Sequence, residues 1–380
     1  MSKYLNSFKL IPSLVFDLIK IFFASLLIFL TIDLIFGNFI YKKFIRKNFV
    51  DTYQQIYLKN SYDHTLKKEL NVFYGNIRYK LCTDKNGFRT FCDNIGNKNK
   101  IYDTVLIGDS FTEGVGLSYE NTYAGIFTKK IGTNKIANLA VSSYSPSIYY
   151  LKLKDLINQN YKFKEVIIFI DHSDLVDEIL CYKFTGEKVL RKRNFKSCIN
   201  AGVINIDEKL KSFFHNYLRL TLEFYVLSKK FLIKKNFIEQ KPTSLQLNSP
   251  RSSWTYRYEK HLYSNIDFND SKKILINRME LVFDLLKKNN IQMSLAVYPW
   301  PDTLYYDKSK NIHYQMWKNF CYLKCKNFYD FNKIFFNKLI NSNKNKVITD
   351  YYIEGDFHFN RAGSKIIADE LFKQYFNKNN

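Results

Sequence analysis

The sequence predicts a doubly wound α/β sheet, and three features carry that prediction. Compact apolar runs at Asp103 to Gly108 (DTVLIG), Ile136 to Ala140 (IANLA) and Glu165 to Ile170 (EVIIFI) read as strands. Between them, Glu120 to Ile131 and about Pro146 to Gln159 read as helices, and strands alternating with helices at this spacing imply parallel pairing with helices over both faces. The pattern resumes late in the chain, with a helix from about Ser271 to Asn289, a strand from Gln292 to Tyr298, a helix around His313 to Phe320, a short strand near Phe328 and a last helix from about Arg361 to Phe376.

The remaining segments follow from that frame. Residues 1–45 read as a membrane anchor, 46–100 as a connection, and 101–380 as the α/β domain with an insertion at about 181–270. The connection is polar and aromatic-rich, and the Asn86-Gly87 pair in NGFRTFC marks a turn between short extended stretches. Within the insertion a basic segment (EKVLRKRNFKSC) precedes a partly amphipathic stretch from Ile206 to Gln240, and the tract Ser244 to Ser253 reads as an exit loop. The insertion is expected to form a cap beside the sheet.

At 380 residues with 46% hydrophobic content, the chain is long enough to bury a substantial core. Its formal charge of +23 comes from 58 Lys and Arg against 35 Asp and Glu. An acidic partner is one source of such a balance. However, the basic residues are spread along a chain rich in Lys, Asn, Ile, Phe and Tyr, as AT-rich coding would give, and no zinc-finger, RNA-recognition or helix-turn-helix signature stands out. No nucleic-acid partner is expected.

From Ile21 to Tyr41 the run IFFASLLIFLTIDLIFGNFIY approaches the ~20 residues that cross a ~30 Å hydrocarbon core, interrupted by Asp33. A carboxylate at that depth needs a partner or a place near the helix end. No small-residue cleavage site follows at the usual place, so the run reads as an uncleaved anchor. Lys3, Lys9 and Lys20 precede it and Lys42, Lys43, Arg46 and Lys47 follow it, so a charge count alone slightly favours a body on the cytoplasmic side. The six cysteines argue the other way, because they fall into local pairs, Cys82 with Cys92, Cys181 with Cys198 and Cys321 with Cys325. Such pairs read as disulfides, with unpaired thiols the alternative, and disulfides persist in an oxidising compartment. The body is therefore expected outside the cytoplasmic membrane, in a periplasm or beyond, on a single-pass tether. No His lies at zinc-ligand spacing from these cysteines, and no metal is expected.

Two segments carry chemistry. In TVLIGDSFTEGVG, Thr104 to Gly116, a strand ends in Gly108-Asp109-Ser110, and the glycines allow a tight turn that lifts Ser110 to the carboxyl end of the sheet, where open α/β folds bind ligands. The Ser110 N–H, near a helix start, is then placed to meet an oxyanion. This is neither the GxSxG elbow nor a P-loop. In YYIEGDFHFNRAG, Tyr351 to Gly363, a single residue separates Asp356 from His358, so one loop can aim both at a common site, with the carboxylate holding one imidazole nitrogen and the other facing Ser110.

Together these blocks resemble the SGNH family, also called GDSL-like esterases and lipases, over roughly Asp103 to the C-terminus without the insertion. Gly108, Asp109 and Ser110 match its first block, and Asp356 and His358 its last. The family more usually has one residue more between that Asp and His, and the shorter Asp-x-His form is similar to the alginate and peptidoglycan O-acetyltransferase-like branch. Glu354 is an alternative acid. The resemblance implies a three-layer α/β/α, flavodoxin-like sheet with Ser110 as nucleophile, His358 as base and Asp356 as its orienting acid.

Two positions depart from the family pattern. Its second block carries an Asn shortly before a Gly whose N–H serves the oxyanion hole; here Asn138 is present and Ser143 stands at the Gly position, where its N–H survives as a donor if the backbone angles suit a residue with a Cβ. Its third block is commonly Gly-x-Asn-Asp; here it reads Asp171-His172-Ser173-Asp174, so Ser173 replaces an oxyanion donor whose loss is typically worth about 3 kcal/mol. The expected oxyanion hole is thus Ser110, Ser143 and Ser173, with Asn138, Asp174 and Trp300 as substrate-binding residues. Trp300 ends a strand on the same side, where it would either stack on a sugar ring or pack internally. His172 has the same two readings, substrate contact or structural hydrogen bond.

The resemblance implies an esterase or O-acyltransferase acting on acyl groups, acetyl above all, of a cell-envelope or secreted glycan, without metal or organic cofactor. A membrane-bound partner supplying the acyl donor belongs to the transferase reading. The rivals are a phospholipid or lysophospholipid acyl hydrolase and a catalytically silent glycan-binding or assembly protein of the same fold.

Overall fold

A computed structural model of the chain describes residues 2–45, 49–50, 53–75, 78–192, 213–235, 237–257 and 267–377. Residue packing divides it into two compact units, Met1–Phe49 with Val203–Gln240, and Val50–Gly202 with Lys241–Asn380.

The second unit is mixed α/β with a central parallel sheet. Its strands are β1 (Ile101–Gly108), β2 (Ile136–Asn138), β3 (Lys162–Phe169), β4 (Gln292–Val297) and β5 (Phe328–Asp330). They lie in the order β5-β4-β3-β1-β2, every pair parallel. Alternate side chains go to opposite faces: Val105, Ile107, Val166, Ile168, Leu295 and Val297 join one buried cluster, while Leu106, Ile167, Phe169 and Ala296 join the other. Because both faces are covered, β1 and β3 are apolar at almost every position of their carboxyl halves. Helices Pro146–Asn158 and Phe268–Lys288 pack together over the first face, and Tyr123–Ile131 and Arg361–Asn377 over the second.

Element ends are set by local chemistry. The helix expected from Glu120 begins at Tyr123, because the Thr122 hydroxyl accepts from the Gly125 N–H at 2.9 Å and caps it there. Helices Pro301–Tyr306, Asn332–Lys338 and Lys344–Tyr351 were not read from the sequence, being too short to show a helical period. The strand order reverses between β1 and β3, one connection leaving each way, and this opens a crevice at their carboxyl ends. Gly108 closes β1 at that point, opposite Phe169 of β3.

The segment read as a connection packs into this unit. Tyr57–Asn60 pairs antiparallel with Asp63–Leu66, and Asn71–Tyr74 with Tyr79–Cys82. Gly87 takes a left-handed φ of 82° in the turn marked by Asn86-Gly87. Beside it the buried Arg89 guanidinium donates to the carbonyls of Lys80, Glu113 and Leu117, fastening this segment to the loop after Ser110. Disulfides join Cys82 to Cys92 and Cys321 to Cys325. Cys181 donates its thiol hydrogen to Asp177 at 3.6 Å; its expected partner Cys198 lies outside the described residues.

The first unit holds the apolar helix. Ser2–Ile32 is α-helical and continues through a π turn at Asp33–Gly37, and Val15–Ile40 is long and apolar enough to cross a membrane, with mean hydropathy 2.4. Of the insertion expected as a cap beside the sheet, residues 203–240 belong to this unit and the remainder to the sheet unit. The physical reason is the carboxylate that interrupts the apolar run: buried Asp33 accepts from the N–H groups of Leu220 and Thr221 at 2.9 and 2.7 Å and so binds the helix Arg219–Lys234.

A Cβ at Gly108 would meet the Phe169 carbonyl oxygen at 2.9 Å and collide with the Thr112 hydroxyl. Gly108→Ala is therefore expected to lower unfolding free energy by about 1–3 kcal/mol, measured by urea denaturation, as overpacking at a tight backbone approach does.

Candidate active site

The position of Ser110 is set by Asp109. Directly after β1, its carboxylate accepts from the Phe111 N–H at 3.0 Å and so starts the single helical turn Ser110–Glu113, which Gly114 ends at a φ of 84°. The Ser110 hydroxyl lies 3.3 Å from Asp109 Oδ2.

His358 reaches Ser110 from a turn 248 residues away in sequence. Gly355 adopts a φ of 74°, the Asp356 N–H donates to the Ile353 carbonyl at 3.0 Å, and the His358 N–H donates to Asp356 Oδ1 at 2.9 Å. Asn360 then accepts from the Gly363 N–H at 3.0 Å and starts the last helix. In this turn His358 Nδ1 lies 2.5 Å from Asp356 Oδ1 and Nε2 lies 2.7 Å from Ser110 Oγ. Burial acts to raise the Asp356 carboxyl, but the adjoining imidazole and the hydrogen bonds it receives outweigh that and hold it below the usual carboxylate range. An ionised Asp356 fixes the Nδ1–H tautomer, leaving Nε2 to accept from the serine. Asp356, not Glu354, takes the imidazole. Rings hold it in place: Phe111 and Phe357 lie 4.8 and 4.5 Å from the His358 ring.

Three expected substrate-binding residues have a different place. Trp300 is 1% exposed, stacks on Phe357 at 4.3 Å and donates its indole N–H to Asp171 at 2.7 Å, so it offers no face to a sugar. Asn138, 1% exposed, donates to the Thr112 carbonyl at 2.7 Å and accepts from the Ala140 N–H, pinning the helical turn of Ser110 to β2. Asp174 is buried, accepting from the Tyr149 hydroxyl at 2.9 Å and the Asp171 N–H at 3.2 Å. All three belong to the frame because a buried polar group must find a partner. His172 is likewise buried, stacked on His313 at 4.2 Å, and burial pushes it down to about 3, so it is neutral.

Ser143 has a φ of 61°, the left-handed region that a glycine occupies without strain. Its carbonyl accepts from the Tyr182 hydroxyl at 2.7 Å, and the preceding Ser142 donates through its N–H and hydroxyl to Glu113 at 2.6 and 2.8 Å. Buried Glu113 thereby ties the Ser143 loop to the helical turn of Ser110. Ser173 is buried and donates its N–H to Asp171 at 2.6 Å.

Behind Ser110 lies a cluster that sequence reading missed. Oxygens of Asp109, Asp171 and Asp174 come within 4.8 Å of one another. Three carboxylates could hold a cation, but here they receive donors from protein: the Tyr298 hydroxyl reaches Asp109 at 3.2 Å, in addition to the Trp300 and Tyr149 contacts. Burial, then the neighbouring Asp171, push Asp109 and Asp174 well above the usual range, so the cluster retains protons. The Arg251 guanidinium, from the exit loop of the insertion, pairs with adjacent Asp177, which burial raises to about 6 against the cation's pull. Residues so far apart in sequence leave no local signal of this contact.

Arg251→Met leaves Asp177 unpaired in the interior and is expected to lower stability by about 3–5 kcal/mol. The deficit should depend on pH. Unfolded Asp177 loses its proton near 3.8 while the folded one keeps it to about 6, so its contribution to stability is full below 3.8 and is lost as pH rises through 6. Without the cation that loss continues to higher pH, so urea denaturation should show a larger deficit at pH 8 than at pH 5.

No family model and no curated protein matches this chain. The solved structures to which this chain is similar are distant. A lipolytic protein of the G-D-S-L family from Veillonella parvula has a TM-score of 0.40 at 10% identity, over 73% of this chain and 98% of that one. A psychrotrophic esterase from Pseudoalteromonas sp. has a TM-score of 0.35 at 11% identity, over 72% and 99%. A GDSL-like lipase from Bacteroides thetaiotaomicron has a TM-score of 0.35 at 13% identity, over 74% and 89%. These likenesses are too distant to assign an activity, which the site's own geometry has to supply.

Proposed function

We propose that the chain is a serine-dependent esterase or O-acyltransferase of the SGNH type, acting on acetyl groups of a cell-envelope or secreted glycan. The observation that carries the reading is the continuous array from the Ser110 hydroxyl through His358 to Asp356, with separations of 2.7 and 2.5 Å. A hydroxyl bonded to an imidazole, itself held by an ionised carboxylate, is an activated nucleophile.

Ser110 Oγ attacks the acyl carbonyl as its proton passes to His358 Nε2, and Asp356 stabilises the imidazolium. The N–H groups of Ser110 and Ser143, with the Ser173 hydroxyl, hold the oxyanion. Collapse expels the alcohol, which takes the proton from Nε2, and leaves an acyl-enzyme. Water as second nucleophile gives hydrolysis; a sugar hydroxyl gives transfer. The left-handed backbone at Ser143 favours its N–H as a donor, and the Asp-x-His block favours the O-acetyltransferase-like branch. The apolar helix and two disulfides support a single-pass anchor in the cytoplasmic membrane with the catalytic unit outside the cytoplasm.

A fluorophosphonate should label the wild-type chain stoichiometrically at Ser110 and leave Ser110→Ala unlabelled. With a chromogenic acetyl ester, Asp356→Asn is expected to lower kcat about 10⁴-fold through the wrong tautomer. Adding a sugar acceptor separates the two fates, since only a transferase yields acetylated sugar. Undiminished turnover in Ser110→Ala would refute the proposal.

A further inference from the structure

The first unit has features that an anchor alone does not need. If Val15–Ile40 spans the bilayer, as proposed above, its 26 residues rise about 39 Å against a hydrocarbon core of about 30 Å. Asp33 then lies roughly 10 Å from the end of the span, close to the hydrocarbon boundary. At that depth its carboxylate accepts from the N–H groups of Leu220 and Thr221 and from the Thr221 hydroxyl, the last at 2.6 Å. The helix Arg219–Lys234 lacks a side-chain cap of its own, so Asp33 supplies both the missing acceptor and a negative charge at the positive end of the helix. Gly37 faces that carboxylate, where a Cβ would collide with it. A second contact fixes the same end: Arg219 donates to the Tyr41 hydroxyl at 2.7 Å with its guanidinium 4.2 Å from the Tyr41 ring, and Tyr41 donates to Glu223 at 2.7 Å.

The fastened helix has two apolar stripes. Leu222, Val226 and Ile233 are half-buried on one side. Leu220, Phe224, Leu227 and Phe231, spaced as one helical stripe, lie on the opposite side, and Phe224, Leu227 and Phe231 are 71%, 62% and 57% exposed. Lys230 and Lys234 border that second stripe. Water is a poor solvent for large apolar side chains gathered in one patch. The boundary of a bilayer suits them, because acyl chains take the rings while anionic headgroups meet the lysines.

We propose that Arg219–Lys234 lies in the plane of an anionic lipid surface, its Phe224, Leu227 and Phe231 stripe in the upper acyl region. The insertion then serves as a second membrane contact, set at the correct depth by Asp33. This rests on the spanning reading of Val15–Ile40, and the test separates the two.

The full chain is reconstituted in vesicles of phosphatidylcholine and phosphatidylglycerol, and Phe224→Trp and Leu27→Trp are quenched by lipids brominated at shallow or deep acyl positions, each read against the unsubstituted chain. Leu27→Trp should be quenched more by deep bromines, and Phe224→Trp at least about twofold more by shallow than by deep ones, an effect reduced by the double substitution Lys230→Glu with Lys234→Glu. Quenching of Leu27→Trp without that of Phe224→Trp would leave the span intact and overturn the in-plane helix, as would Phe224→Trp quenched as deeply as Leu27→Trp. If neither is quenched, the spanning reading fails and the in-plane helix with it.

Discussion

The proposed catalytic arrangement depends on one hydrogen bond, 2.7 Å long, between a hydroxyl at the end of the first sheet strand and an imidazole 248 residues later. Two loops that distant meet because both are fixed from below. The Ser110 turn is held by Asp109 at its start, by Asn138 through the Thr112 carbonyl, and by Arg89 and Glu113 at its end. The His358 turn is held by the Tyr352–Phe359 bridge and by the rings of Phe111 and Phe357. A shift of about 1 Å in either loop is enough to disable such an array. The rigidity of the surrounding frame is therefore a condition of the chemistry.

That rigidity has an electrostatic consequence. Asp109, which starts the helical turn of Ser110, shares the interior with Asp171 and Asp174, and burial with mutual repulsion keeps Asp109 and Asp174 protonated well above the usual carboxylate range. The hydrogen bonds from Tyr298, Trp300 and Tyr149 determine where these groups sit, while Arg251 with Asp177 places one cation close by. Trp300 and Asp174 thus act on the site through Asp171 and Asp109 and have no surface for substrate. The two disulfides among the described residues lie in the same unit, Cys82–Cys92 beside the Arg89 contact.

The strands were legible because their cause is local. A run apolar at nearly every position and followed by a helix has few other folds, and β1, β3 and β4 fall within a few residues of where DTVLIG, EVIIFI and the stretch from Gln292 were read. The Asp356 and His358 pair was legible for the same reason, one residue apart in one turn. What stayed hidden depends on distant partners. An aromatic after a strand reads alike whether it faces a ligand or, as Trp300 does, gives its N–H to a buried carboxylate. Asn138 carries no mark in sequence of the carbonyl it holds. Asp33 showed as an anomaly in an apolar run, but its partner Leu220 is 187 residues away. Only the fold supplies the explanation, grouping residues 203–240 with the apolar helix in one compact unit.

The most direct test of this account is intact and peptide mass spectrometry of the wild-type chain, acid-quenched during turnover of an activated acetyl ester. The account predicts one added acetyl group, located on the peptide that carries Ser110 and absent from Ser110→Ala. Turnover with no acetyl on that peptide, or acetyl at another residue that persists in Ser110→Ala, would contradict it.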